Sequence, residues 1–233
     1  MYFERQNIAT VVVGQTYPHL EKIQPPRALW VPFEMGRPLG GYSANGEWQR
    51  KVLLQALALL EREGPVVLAE FEGEDPAAVA DENWQPPALN GVADAQSAAT
   101  SEAFLKEVTA LQPLWQSSVD KLGNTRTGLS QLSVEEAAGF LQRFADEVPL
   151  NNPDDTMSDI LRMRFCADDI RSYYIEAALS GDTHPSSKQI GDWFWNSTQA
   201  GKLLNRIRQQ NLEHEQPRRQ HVCSKFMVPG ARL

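Results

Sequence analysis

The sequence predicts an α/β N-terminal unit with a short, mostly parallel sheet, followed by an all-helical C-terminal unit. Residues 1–71 alternate apolar β-branched runs with helix-forming segments, an order typical of α/β proteins. Residues 101–215 instead carry apolar side chains at helical spacing. The intervening residues 72–100 are rich in alanine, proline and acidic residues, which predicts a solvated linker; the alternative is a lid, or a docking arm for a basic partner anchored by Trp84. Residues 216–233 show no clear period and are expected to form an irregular tail.

Three short apolar runs predict the strands of the first unit. Ile8–Val13 reads IATVVV, Ala28–Val31 lies between prolines, and residues 65–71 read PVVLAEF. Runs of this length and β-branched content favour buried strands. Helices are expected over Tyr17–Ile23 and Glu47–Glu63, and the second places its apolar residues on one face.

The second unit is predicted to contain only helices. Ser133 and Glu136 form an S-x-x-E capping box, which marks the start of a helix. The segment RMRFCADDIRSYYIEAAL carries apolar residues at helical spacing. The predicted helices cover residues 101–122, 133–148, 157–179, 186 or 187 to 195, and 198–210.

The charge of the chain is concentrated in its middle. The 233 residues contain 22 basic and 30 acidic side chains, a formal net charge of −8. Residues 65–122 alone contain 2 basic and 10 acidic side chains, a net charge of −8. An acidic chain of this kind argues against non-specific nucleic-acid binding through a basic surface.

Cysteine content and hydropathy narrow the protein class further. Two cysteines exclude a disulfide scaffold and a four-cysteine zinc site. The histidines match no strong zinc pattern, so we expect neither a metal nor a cofactor. No apolar run approaches the ~20 residues that span a membrane. The N-terminal residues lack the pattern of a signal peptide, so we expect a cytoplasmic protein.

A family resemblance covers about residues 7–71. The segments that carry it are the strand Ile8–Val13, the pair Pro26-Arg27, the loop Phe33–Gly41 and the helix Gln49–Leu60. Their order resembles the C-terminal part of the B-subunit family of glycine, sarcosine, betaine and D-proline reductases, the selenoprotein B-like group. The resemblance implies a component of an oxidoreductase system that acts on a small amine or amino-acid-like substrate.

The redox segment of that family has no counterpart in this sequence. In the family, a reactive selenocysteine or cysteine lies just upstream of the matching region, whereas here no C-x-x-C motif occurs. The resemblance therefore implies that another chain supplies the reactive sulfur or selenium. The alternative is a non-catalytic binding or assembly protein that keeps the α/β scaffold and uses the helical half as a partner interface.

The glycine-rich loop after the second predicted strand is the strongest candidate for a small-molecule site. Ligands of open α/β sheets bind where strands end and helices begin. Arg37 can clamp a carboxylate, Glu34 can orient Arg37 or act as a base, and Gly36, Gly40 and Gly41 can present backbone N–H groups. The alternative is a rigid turn in which Glu34 and Arg37 form a structural ion pair.

Cys166 and Cys223 are the two candidates for sulfur chemistry. On a helix, Arg162 lies one turn before Cys166, where its charge would lower the thiol pKa. Cys223 lies two residues after His221, a possible partner for a nucleophile. The alternative in both cases is an inert cysteine, buried at 166 and unremarkable at 223.

Trp193 and Trp195 are the candidates for a protein interface. Neighbouring helical positions point in different directions, so one of these two tryptophans is expected at the surface or at a partner interface. The alternative is helix–helix packing inside the second unit. We expect a protein partner or a homo-oligomer, with a small-molecule ligand as a further option.

Overall fold

The computed structural model describes residues 2–33, 37–40, 45–89 and 101–229. Two units account for these residues. The first consists of Met1–Glu82 and His184–Lys188, and the second of Asn83–Thr183 and Gln189–Leu233. Trp84 and the described residues after it, up to Leu89, therefore belong to the helical unit, although they lie inside the predicted linker.

The first unit contains a three-stranded parallel sheet, which confirms the predicted fold class. Its elements are α1 (Tyr2–Arg5), β1 (Val12–Gly14), α2 (Tyr17–Ile23), β2 (Arg27–Trp30), α3 (Gly46–Ala58) with a 3-10 turn (Leu59–Glu61), and β3 (Val67–Glu70). The strands lie in the order β1-β2-β3. Ala28 on the central strand pairs with Val12 on one side and with Leu68 on the other.

The sheet lies between α2 and α3. Successive strand residues point to opposite faces. Leu29 therefore packs against Val52 and Ala56 of α3 in one buried cluster. Trp30 points the other way and contacts Tyr17 of α2, with 5.2 Å between the ring centroids.

The first strand is shorter than the sequence predicts. Ile8 is 54% exposed and lies outside the strand, which begins at Val12. The reason is that Thr10 donates both its backbone N–H and its hydroxyl to the carboxylate of Glu4. These two hydrogen bonds, together with the nearby Arg27 guanidinium, lower the pKa of Glu4. The backbone N–H of Thr10 is thus used by a side chain and not by the sheet.

The second unit is helical, as predicted. Its helices are α4 (Ser101–Leu122), α5 (Val134–Ala145), α6 (Asp159–Ala178), α7 (Ser187–Ser197, in this unit from Gln189 onward), α8 (Gln199–Gln210) and α9 (Pro217–Phe226). Ser133 and Glu136 form the predicted capping box, in which each side chain accepts from the other residue's backbone N–H. A central core joins Phe104, Leu141 and Ile170, each fully buried.

Helix α9 corrects the expectation of an irregular tail. It starts with Pro217 at its first turn and buries Cys223, followed by Met227 and Val228. Only Cys223 within the helix is buried, so the sequence shows no apolar stripe. Trp84 packs into the same core and donates its indole N–H to the carbonyl of Ala178 at 3.4 Å.

Among the residues that the structure describes, no helix is long and apolar enough to cross a membrane.

Candidate functional site

The glycine-rich loop follows the carboxyl end of the central strand. β2 ends at Trp30 and α3 begins at Gly46, so the loop occupies the position that the sequence predicts for a ligand site. Arg37 is half-buried, and its carbonyl accepts the backbone N–H of Gly40 at 2.9 Å. Three other predicted site residues, Glu34, Gly36 and Gly41, lie outside the described residues.

Gly40 holds the loop against the first unit's core. Its φ of +58° lies in the left-handed region. A Cβ there would lie 2.9 Å from Cδ2 of Phe33 and 3.0 Å from Oδ2 of Asp75, which is too close for any larger residue. Phe33 is buried and meets Phe71 edge to face at 5.1 Å. Packing against Phe33 and Asp75 therefore leaves room only for glycine at this position.

Cys166 does not have the thiolate character expected from its neighbour Arg162. The side chain is fully buried, and this desolvation raises the pKa of the thiol to about 12. The Arg162 guanidinium is already engaged by the carbonyl of Ser130 at 2.8 Å and by Asp154 at 2.7 Å. The expected lowering of the Cys166 pKa is therefore wrong, because desolvation outweighs the nearby positive charge.

Cys223 is also a buried thiol. Loss of solvent raises its pKa to about 11, although the nearby Arg219 opposes the shift. His221 is exposed, and its ring lies 5.9 Å from the ring of Phe226. No hydrogen bond joins His221 and Cys223 within the described chain, so the expected nucleophile pair is not assembled.

A buried carboxylate that the sequence did not single out organises the loop between α4 and α5. Asp169 is 1% exposed. Its two oxygens accept the backbone N–H groups of Gly128, Leu129 and Ser130, each at 2.9 Å. They also accept the hydroxyl of Ser130 at 2.6 Å. These four hydrogen bonds occupy both carboxylate oxygens, so neither oxygen is left to bind a ligand.

Glu176 has a similar role two turns later on α6. It accepts the indole N–H of Trp115 at 2.8 Å, the hydroxyl of Thr125 at 2.7 Å and the backbone N–H of Arg126 at 2.7 Å. Arg162, Asp169 and Glu176 are seven residues apart, so they lie on one face of α6. This polar spacing is the signal in the sequence that could have identified the network.

Glu107 of α4 is a third buried carboxylate that accepts several hydrogen bonds, two of them from the start of α8. It accepts the Tyr174 hydroxyl at 3.0 Å and the backbone N–H groups of Gln199 at 2.7 Å and Ala200 at 3.4 Å. Burial raises the pKa of Glu107, because desolvation outweighs these hydrogen bonds. The carboxylate accepts hydrogen bonds from N–H groups in the first turn of α8, which have no partner within the helix itself.

The two candidate interface tryptophans both pack within the helical unit. Trp193 is 6% exposed, and its ring lies 5.9 Å from that of Tyr174. Trp195 is half-buried and meets Phe194 edge to face at 4.8 Å. The burial of Trp193 corrects its assignment as an interface residue, because helix packing already covers the side chain.

β3 lies at one edge of the sheet, and β1 lies at the other. Val67 and Phe71 donate their N–H groups toward β2, so the residues between them that point outward are Leu68 and Glu70. No strand of the described residues pairs with this edge. The edge borders a groove of about 640 Å³ whose other wall is formed by α3 and the turn after it.

Gln55 closes one end of that open edge. Its side-chain N–H donates to the carbonyl of Glu72 at 3.0 Å, and its side-chain oxygen accepts the Glu72 N–H at 3.0 Å. The side-chain amide thus bonds the backbone as a neighbouring strand would. The free part of the edge is confined to Leu68 and Glu70.

No group of three or more potential metal ligands occurs among the residues that the structure describes. Comparison of the chain with protein-family models, curated proteins and solved structures found no match.

Proposed function

We propose that this chain is a non-catalytic binding and assembly protein that pairs with a second copy of itself through the outer edge of β3. The observation that carries the proposal is the unpaired backbone at Leu68 and Glu70. An exposed strand edge is a template for another strand. In an antiparallel pair centred on Ala69, Leu68 of each copy exchanges hydrogen bonds with Glu70 of the other, and the two sheets become one.

The charges beside the edge favour a second copy as the occupant. Arg62 lies near the start of β3 and Glu72 just past its end, and both line the same groove. Both side chains are exposed, and neither has an ion pair within the described chain. A two-fold axis brings Arg62 of one copy beside Glu72 of the other, twice in each dimer.

The state of the reactive groups supports a non-catalytic role. Both cysteines are buried thiols with raised pKa values. The carboxylates of Glu107, Asp169 and Glu176 are taken up by backbone and side-chain donors. Two free cysteines also support a cytoplasmic location, where thiols stay reduced.

Leu68→Pro tests the edge directly. The N–H of Leu68 points outward, so proline removes a donor of the dimer while the hydrogen bonds between β2 and β3 remain. We expect the wild-type chain to show twice its 26.1 kDa mass by light scattering, and the variant to show the monomer mass. Leu68→Thr, which keeps the N–H, is the matched control and should remain dimeric. A wild-type monomer at all concentrations, or a dimeric proline variant, would overturn the proposal.

A charge exchange tests the predicted antiparallel register. Arg62→Glu and Glu72→Arg each place like charges in contact, so each should weaken the dimer by about tenfold or more. The double variant restores opposite charges and should recover the wild-type dimer. If the two single variants dimerise normally, or if the double variant is weaker than both, the antiparallel arrangement is refuted.

A second candidate is a reductase-B-like component that binds a small amine or amino-acid-like substrate, with the reactive sulfur or selenium on another chain. The observation that favours it is the loop at the end of β2, where Gly40 fixes the chain and Arg37 is half-buried. Titration calorimetry with glycine, sarcosine, betaine and D-proline tests it. We expect Arg37→Ala to weaken binding by about tenfold or more. Absence of binding by the wild-type protein, or unchanged binding by the variant, would reject this candidate.

A further inference from the structure

A groove between α8 and α9 is lined by cationic and hydrogen-bonding side chains. Arg208 comes from α8, while His221, Ser224 and Lys225 come from α9. Leu212 and Val228 supply its apolar surface, and no carboxylate lines it. Its volume is about 540 Å³, which is within the range of small-molecule sites.

Arg208 differs from the other half-buried arginines of these two helices. Arg206 contacts Asp146 at 3.0 Å, and Arg219 donates to Asn211 and covers the ring of Phe144. Arg208 is also half-buried, and its Nε is shielded from solvent, yet this atom has no hydrogen-bond acceptor in the part of the chain that the structure describes. A partly buried guanidinium whose shielded Nε has no acceptor favours an anionic ligand.

The charge around the groove strengthens this preference. Residues 199–229 contain six basic and two acidic side chains, a net charge of +4, although the whole chain carries −8. Lys225 is exposed at the groove and forms no ion pair among the described residues. The excess of basic residues in the last two helices favours a small anion on an otherwise acidic protein.

We propose that this groove binds the phosphate group of a small phosphorylated molecule. A phosphate offers three acceptor oxygens and nearly two negative charges. The groove offers a guanidinium fork, an ammonium, an imidazole and a hydroxyl, which suit those oxygens in number and charge. The apolar residues Leu212 and Val228 contact the remainder of the ligand.

Titration calorimetry with inorganic pyrophosphate, at low salt and fixed pH, tests the site in the full-length protein. We expect one binding event for each chain, weakened about tenfold or more in Arg208→Gln and less in Lys225→Gln. Arg208→Lys keeps the charge without the guanidinium fork, and we expect intermediate affinity. Arg218→Gln is the matched control: it removes an exposed cation of α9 that does not line the groove, and should bind as wild type.

Three outcomes would overturn the proposal. One is the absence of pyrophosphate binding in the wild type. Another is an equal loss in Arg208→Gln and Arg218→Gln, which would indicate diffuse attraction to a basic surface. The third is tighter binding of a single-stranded oligonucleotide that both variants weaken equally, which would assign the surface to nucleic acid. Dimerisation through β3 is measured separately, so either proposal can fail alone.

Discussion

Asp169 anchors the last part of the loop between α4 and α5. Its carboxylate satisfies three consecutive N–H groups and one hydroxyl in the loop before α5. Removing it leaves the backbone N–H and the hydroxyl of buried Ser130 without an acceptor, and also ends the hydrogen bonds from the exposed residues Gly128 and Leu129. We expect Asp169→Ala to lower the free energy of unfolding by about 2 to 4 kcal/mol.

The neighbouring Asp168 supplies the matched control for that measurement. It pairs with Arg171 on the outer side of the same helix, where its side chain is 27% exposed. Asp168→Ala should therefore cost only about 0.5 kcal/mol in urea unfolding. Equal losses in the two variants would contradict a special role for Asp169.

Glu107 makes the stability of the helical unit depend on pH. Its pKa in the folded protein is raised above the usual 4.5, so the folded state holds this proton more tightly than the unfolded chain. The free energy of unfolding therefore falls as pH rises from 4.5 through the folded pKa. Each pKa unit of displacement corresponds to about 1.4 kcal/mol.

Glu107→Gln should remove this slope, because glutamine does not titrate while its oxygen still accepts the same donors. Urea unfolding of both proteins over this pH range measures the difference. We expect the difference in free energy between variant and wild type to grow in the variant's favour as pH rises. A constant difference across the range would show that Glu107 does not carry the pH dependence.

Two helices of the second unit approach so closely that only glycine fits at one point. A Cβ at Gly201, near the start of α8, would lie 2.3 Å from the carbonyl oxygen of Phe194 and 3.0 Å from Cα of Trp195. Both contacts are with backbone atoms, which cannot move aside cheaply. We expect Gly201→Ala to destabilise the protein by about 2 to 3 kcal/mol.

Gly139 in α5 gives the opposite expectation for the same substitution. Nothing lies within 4 Å of a Cβ placed there. Alanine is the better helix former, so Gly139→Ala should stabilise the protein by about 0.5 to 1 kcal/mol. Thermal unfolding of the two variants measures both effects, and a shift of equal sign would contradict the packing argument.

At the scale of the whole molecule, local sequence signals predicted the elements well. The α2 range Tyr17–Ile23 and the α4 range Ser101–Leu122 occur as predicted. Both depend on residues near each other in the chain, such as prolines and apolar residues at helical spacing. Helix α9 was not predicted because its sequence has no amphipathic pattern, and only Cys223 within the helix is buried.

The candidate site was harder to predict, because it depends on contacts that the sequence does not display. The pKa of Cys166 depends on burial by distant helices, and its direction was opposite to the one inferred from Arg162. The open edge of β3 depends on strand order. The groove at Arg208 requires α9, which the sequence did not predict.

The contacts of Glu107 also set an order for the synthesis of this protein. Its three donors lie 67, 92 and 93 residues further along the chain. Until a nascent chain reaches the start of α8, the Glu107 carboxylate has no backbone donors and stays hydrated. The helical unit therefore completes its polar interior only after the ribosome has released the start of α8, so truncation before that point leaves a charged group that the fold cannot bury.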